Sequence, residues 1–212
     1  MLVSADEGYR LWAPTYDQAP NPVTALESRV LAEQLGELAG KHVLDVACGT
    51  GRWAKYAGDR GAQVLGIDRS PAMLQRCPVR AALADAEALP VAGQWADIAI
   101  CALAFGYLDS PMRELMRVTK PGGFIFVSDV HPKALDRQWK QSFRSGSQIY
   151  EIAHRRYDLF ELLHTDGLRL AALLEPCFGT PELEIFRRAN KESSFAEMSE
   201  VPAIFMAHWI RL

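Results

Sequence analysis

Little in this chain of 212 residues points to a metal, a disulfide framework or a membrane. Its four cysteines, Cys48, Cys77, Cys101 and Cys177, form no CxxC pair and no short regular spacing, which argues against zinc and disulfide scaffolds. The five histidines include no pair at helical ligand spacing, so no metal site is expected. The longest apolar run, residues 96–108, carries Asp97 and is too short to span a bilayer. Asp6 and Glu7 stand where a signal peptide carries positive charge, and no apolar core follows, so a cytoplasmic location is expected. Charge of one sign is also lacking. The net charge is −3 with both signs interspersed, which gives no electrostatic footprint for nucleic acid or membrane partners. Repeats and low-complexity stretches are absent.

What is present is the composition of a soluble globular protein, 49% hydrophobic and 23% charged, at a length that fits one domain over residues 1–212. Residues 1–23 contain aromatics and Pro14, Pro20 and Pro22 without a clear period, and are expected to form an irregular arm. Thr24 and Glu27 have capping-box spacing ahead of Leu26, Val30, Leu31, Leu35 and Leu38, which predicts an amphipathic helix to about Gly40. Short apolar segments then alternate with helical ones. Strands are predicted at 42–47, 63–68, 79–84, 97–103 and 124–129, with Ser70-Pro71 and Ser110-Pro111 opening helices. This alternation means βαβ units and a parallel sheet, an α/β fold. Two further strands are expected at 168–176 and 202–212, with a helical piece around 182–188 between them. Before them comes a helix containing Leu159, Phe160 and Leu163 that ends at Gly167.

The strongest chemical signal is VLDVACGTG, residues 43–51. Gly49 and Gly51 stand between a strand and a helix, where a bare backbone approaches a ligand and the free N–H groups of a helix start receive anions. Alone, this is also the pattern of a tight strand–helix turn. Three acids accompany it. Asp45 lies inside the first strand, where a buried carboxylate needs a partner such as an ammonium group or neighbouring backbone N–H groups. Asp68 ends the second strand, in position to bind the hydroxyls of a ribose. Asp85 ends the third, where it would accept from an adenine amino group, with Ala86 offering its backbone N–H. Successive strand ends converge on the crevice where open α/β sheets bind ligands.

DVACGTG, GIDRS, ADAEALP and ELMRVTKPGG resemble, in order, the motifs of class I S-adenosylmethionine-dependent methyltransferases, particularly the small-molecule, type 11-like group. The resemblance is good over residues 24–130. It implies a doubly wound, Rossmann-like sheet of seven mostly parallel strands in the order 3-2-1-4-5-7-6, the last strand antiparallel. Ala47 stands where many members have a first glycine, a familiar variant. Matched position by position, the resemblance implies that Ala47, Gly49, Gly51 and Asp45 serve the methionine end of the cofactor and that Asp68 holds the ribose. Arg69 and Met73 would flank the adenine, Asp85 and Ala86 would read its edge, and Leu103 would lie near the sulfonium. Arg52 would pair with the methionine carboxylate, or else be a solvated first-turn arginine. Tyr16 resembles an aromatic that closes over the cofactor, although a tyrosine packed on the core would read the same way; Tyr9 and Trp12 would serve equally.

Methyl transfer is an in-line displacement that needs a general base only if the acceptor must lose a proton. Asp129 and His131, two apart at the end of the fifth strand, are the candidates on the ground that they share a face. Residues 131–155 are expected to form a lid and substrate wall. Trp139 and Phe143 would share a helical face, with Lys133, Arg137, Lys140 and Arg144 giving either a cationic rim or a solvated basic face. His154, Tyr150 and Trp209 are further wall candidates. The expected partner is a small-molecule acceptor, and the expected state a monomer or homodimer. A nicotinamide-dependent dehydrogenase would share the glycine turn, but it leaves Asp45 and Asp85 unexplained and would need a Tyr-x-x-x-Lys that is missing. A cofactor-binding module without transfer is the other alternative. No NPPY-like tetrapeptide suggests base methylation, and the cysteines form no arsenic-type trio.

Overall fold

A computed structural model describes residues 1–18 and 20–212. Its elements in chain order are β1 (Leu2–Val3), α1 (Ala5–Trp12), α2 (Pro22–Gln34), β2 (His42–Val46), α3 (Arg52–Gly58), β3 (Gln63–Asp68), α4 (Pro71–Leu74), β4 (Ala81–Leu83) and β5 (Ala96–Ala102). There follow α5 (Met112–Val118), β6 (Thr119–Val130), α6 (Pro132–Asp136), β7 (Gln141–Ser145), β8 (Gln148–Ile152), α7 (Leu159–Leu163), β9 (Leu168–Leu174), α8 (Thr180–Arg188), α9 (Glu192–Met198) and β10 (Ile204–Arg211).

Seven strands form one sheet in the order β4-β3-β2-β5-β6-β10-β9. The first five are parallel, and β10 runs antiparallel to both β6 and β9. This is the order 3-2-1-4-5-7-6. Alternation along each strand feeds two cores, one on either face. Val43 joins Leu26, Leu31 and Ile100 on one side, while Leu44 joins Ile125, Phe205 and Trp209 on the other. Cover on both faces is why the central strands read as continuous apolar runs.

Four sequence expectations are corrected. The arm is not irregular: Ser4 caps α1 by accepting from the Glu7 N–H at 3.3 Å, and β1 pairs in parallel with β8. The second helix starts earlier than the Thr24–Glu27 spacing suggested. Asn21 caps it, accepting from the Val23 N–H at 2.9 Å, and Pro22 takes the first helical position. That helix ends at Gln34 rather than near Gly40, and Glu27 is buried. Residues 131–155 do not form one amphipathic helix. After the short α6, a hairpin of β7 and β8 turns at Gly146, whose φ of 59° suits a bare backbone. Trp139 and Phe143 therefore part company: Trp139 stacks on Phe178 at 5.5 Å, Phe143 on Trp12 at 5.0 Å. Finally, α7 stops at Leu163 and Gly167 instead turns the chain into β9, while α9 had no counterpart in the sequence reading.

Candidate cofactor and acceptor site

The C-terminal ends of β2, β3 and β5 meet where the strand order reverses, the place open α/β sheets offer to a ligand. After β2 the chain turns sharply through residues with positive φ, Ala47 at 56°, Gly49 at 57° and Gly51 at 82°. Asp68 at the end of β3 fastens this turn. One carboxylate oxygen accepts from the Gly49 N–H and the other from the Ser70 N–H, both at 2.7 Å. Asp45 fastens β2 to α3 by accepting from the buried Ala54 N–H at 2.8 Å. Its carboxyl is pushed up to about 7, first by burial; the Ala54 N–H and Arg52 oppose that shift, and Asp68 and Glu27 add to it. Burial also raises Asp68, against the pull of its two amide donors.

A cavity of about 340 Å³ opens at this edge. All the expected cofactor residues border it except Gly51 and Asp85. Gly51 faces away, and a side chain there would collide with Cys77 Sγ. Asp85 is exposed and accepts from the Glu87 N–H at 2.9 Å, leaving Ala86 on the wall. Leu103 reaches the wall in a strained backbone, φ 54°, held by its N–H to the Ser128 carbonyl at 2.8 Å.

The opposite wall comes from the arm. Tyr9 and Trp12 of α1, then Tyr16, face Tyr107 and Leu108 across the cavity. Tyr9 meets Tyr107 edge-on at 5.6 Å, and Trp12 meets Tyr16 at 4.8 Å. Polar clasps tie this wall to the strand side: Asp6 pairs with Arg69 at 2.6 Å, and Thr50 donates to Asp17 at 3.0 Å. Burial raises the phenols of Tyr9, Tyr16 and Tyr107, which keeps them neutral donors near pH 7.

Residues 44–127 match a family model described as a methyltransferase domain. Over 161 residues the chain is 36% identical to a malonyl-[acyl-carrier protein] O-methyltransferase of Dechloromonas aromatica, a match that covers 66% of this chain and 60% of that protein. The chain thus spans less than two thirds of that relative. Among solved structures, an S-adenosylmethionine-dependent methyltransferase from Mesorhizobium loti superposes with a TM-score of 0.69 at 20% identity, over 90% of this chain and 100% of that one. Geranyl diphosphate C-methyltransferase from Streptomyces coelicolor, solved with S-adenosyl-L-homocysteine, gives 0.65 at 16% identity, over 89% and 76%. Residues 44–127 thus carry a methyltransferase domain, and the chain shares the fold of S-adenosylmethionine-dependent methyltransferases. The cofactor of such methyltransferases is S-adenosylmethionine, and their fold accounts for the strand order and for the place of the cavity.

Within this methyltransferase fold the two general-base candidates stand off the cavity wall. His131 lies just beyond the end of β6, so strand alternation no longer governs it. Its Nδ1 accepts from the Lys133 N–H at 3.0 Å, capping α6, and its Nε2 donates to Glu175 at 2.8 Å. Asp129 is buried and accepts from the Gly106 N–H at 2.5 Å and the Val130 N–H at 2.7 Å. Its third partner, at 3.2 Å, is Nε2 of His154, whose Nδ1 faces the Arg155 carbonyl at 2.8 Å. Both ring nitrogens of His154 thus point at acceptors, the pattern of an imidazolium. Burial alone would lower its pKa; the bond and charge of Asp129, with the Arg155 carbonyl, reverse this and raise it. His154 touches the wall through Tyr107, edge-on at 4.9 Å, and fits only because residue 106 is glycine.

Of the other wall candidates, Tyr150 stacks on Phe143 at 5.5 Å and Trp209 is fully buried in the core. The expected cationic rim is partly neutralised, since Arg137 pairs with Glu200 and Lys140 with Glu151. Sequence reasoning missed Glu27 as a site-side residue. Its capping-box spacing masked the one useful sign, an acid among the apolar positions of a buried helix face.

Proposed function

We propose that this protein transfers the methyl group of S-adenosylmethionine to a small-molecule acceptor, and that residues 1–212 work as one domain in which the arm and the β7–β8 hairpin cap the site. The observation that carries the reading is the pair Asp45 and Asp68, one carboxylate buried and one half-buried, on one cavity wall beside a positive-φ turn. The fit to the cofactor is chemical. Asp68, already oriented by two amides, retains lone pairs for both ribose hydroxyls; Asp45 suits the ammonium and Arg52 the carboxylate of the amino-acid end. Arg69 and Met73 would flank the adenine, the Ala86 N–H would meet its edge, and Leu103 would adjoin the sulfur.

When bound, the cofactor supplies an electrophilic methyl group on a sulfonium. The chain has to align a nucleophile and exclude water, and the wall of Tyr9, Trp12 and Tyr107 does both with aromatic faces and phenol donors. Asp45, Arg52 and Asp68 would hold the cofactor, whose sulfur would keep the electron pair of the broken bond, so no residue has to protonate a leaving group. His131 has both nitrogens engaged away from the cavity, and both nitrogens of His154 face acceptors, Asp129 and the Arg155 carbonyl. This favours an acceptor that arrives already nucleophilic, such as a carboxylate, over one that must first be deprotonated. The relative named as an O-methyltransferase supports an oxygen acceptor.

Calorimetry with S-adenosylmethionine and S-adenosyl-L-homocysteine, with NADH as control, tests the class. Binding of the first two at micromolar concentrations without NADH is expected; binding of NADH alone overturns the reading. Turnover with carboxylate acceptors to the demethylated cofactor then separates an enzyme from a binding module.

A further inference from the structure

Glu27 is a fully buried carboxylate that borders neither the cavity nor any solvent. A buried charge is costly unless well partnered, so its partners show what it is for. Two elements converge on it. From α3, Trp53 Nε1 donates to both carboxylate oxygens at 3.2 Å, and Arg52 Nη1 pairs with Oε2 at 2.6 Å. From β6, Ser128 Oγ donates to Oε1 at 3.0 Å. Arg52 is further fixed by Ser28 Oγ at 2.5 Å and lies 5.0 Å from the Trp53 ring. Yet Arg52 also borders the cavity, together with Asp45.

These two wall residues have opposite charges and unequal anchorage. Among the described residues the Ala54 N–H is the one hydrogen-bond donor to Asp45, whereas Arg52 is held by two acceptors, Glu27 and Ser28. A guanidinium released from those acceptors would turn to the neighbouring carboxylate and quench it. The acids acting on Asp45 are Asp68 and Glu27, and the cation is Arg52.

We propose that Glu27 is a positioning residue that holds Arg52 apart from Asp45, so that a cation and an anion stand separately ready for the two charges of an amino-acid zwitterion. The proposal rests on the cofactor reading above, since the zwitterion is the amino-acid end of that cofactor. Neutral replacement at residue 27 leaves the adenine and ribose contacts intact and damages the amino-acid contacts alone.

The test compares two ligands on the full chain by calorimetry. S-adenosyl-L-homocysteine carries the zwitterion; 5′-methylthioadenosine has the same adenine, ribose and thioether without it. Glu27→Gln keeps the shape and the bonds from Trp53 and Ser128. It should weaken S-adenosyl-L-homocysteine about tenfold and leave 5′-methylthioadenosine within about twofold. Arg52→Ala should give the same selective loss, and the double variant should lose no more than either single one. Equal loss of both ligands, or loss of neither, overturns the proposal. If Glu27→Gln does not fold, Glu27→Asp, which keeps the charge but shortens its reach to Arg52, must show the selective loss instead. Failure of the unaltered protein to bind S-adenosyl-L-homocysteine would overturn the cofactor reading, a separate outcome.

Discussion

On the strand side of the cavity, polar side chains are locked to backbone amides of the central sheet; on the cap side, aromatic rings lean on one another across a helix and a hairpin. Asp68 and Asp45 between them take three backbone N–H groups from a turn and a helix start that belong to the core. The cap rests on ring contacts such as Trp12 on Phe143 and on exposed ion pairs such as Asp6 with Arg69. Backbone-held carboxylates give a preorganised site for a ligand of fixed shape. Ring contacts and surface pairs are individually weak, and they suit a wall that must yield to admit an acceptor. Under the function proposed above, the sheet would recognise the constant cofactor and the cap the variable acceptor.

The largest effect should come from breaking the strand side. Asp68→Ala removes the acceptor of the Gly49 and Ser70 amides together with the ribose contact. At about 1.5–3 kcal/mol for each charged hydrogen bond, calorimetry should show at least a hundredfold or so weaker S-adenosyl-L-homocysteine. An unchanged affinity would place the ribose elsewhere.

Asp45 gives the next effect, through pH. Its carboxyl, at about 7 in the fold against an ordinary 3.8, holds a proton below neutrality. The stability contributed by that protonation is complete below the ordinary value and is lost as pH rises through 7. Ligand binding runs the other way, because an ammonium needs the ionised carboxylate. Affinity for S-adenosyl-L-homocysteine should fall about tenfold per unit below pH 7, with protons released on binding, and Asp45→Asn should flatten the profile. Calorimetry in buffers of different ionisation enthalpy reads both.

The cap should yield more cheaply. Trp12→Ala removes the stack on Phe143 and the edge contact with Tyr16, each worth about 1 kcal/mol, so amide exchange over residues 1–16 should rise about fivefold or more while the central strands keep their protection. Uniform acceleration across the sheet would show the cap to be part of the core. The smallest effect sharpens the contrast from outside both walls. His131→Ala should cost about 1 kcal/mol of stability through the lost cap of α6 and leave cofactor affinity unchanged, as thermal melting and calorimetry would report. A loss of turnover without a loss of stability would restore His131 as a base.

The strand side was legible because its signals are local. The apolar strand, the two glycines and an acid at each strand end occupy a few consecutive residues, and their order along the chain matches their order in space at the switch point. The cap was not legible, since β1 pairs with β8 nearly 150 residues away and α1 packs on the hairpin so closely that a side chain at Gly8 would collide with Ile152. No local period records such pairing. The aromatic spacing of Trp139 and Phe143 fits a helix equally well, and only the turn at Gly146 decides otherwise. Asp85 shows the limit of position alone: it stands at a strand end as expected, but its own Asx turn takes its side chain out of the cavity.

By itself, then, the sequence determined the parallel sheet, its glycine turn and the acids around it, because hydrophobic period and turn chemistry act over a few residues. Tertiary structure alone decided which groups touch. It set Glu27 against Arg52, gave Asp129 to His154 rather than to the cavity, and folded two distant segments into one wall. Those pairings depend on burial and on charge balance between elements far apart in the chain, quantities that no short stretch of residues contains.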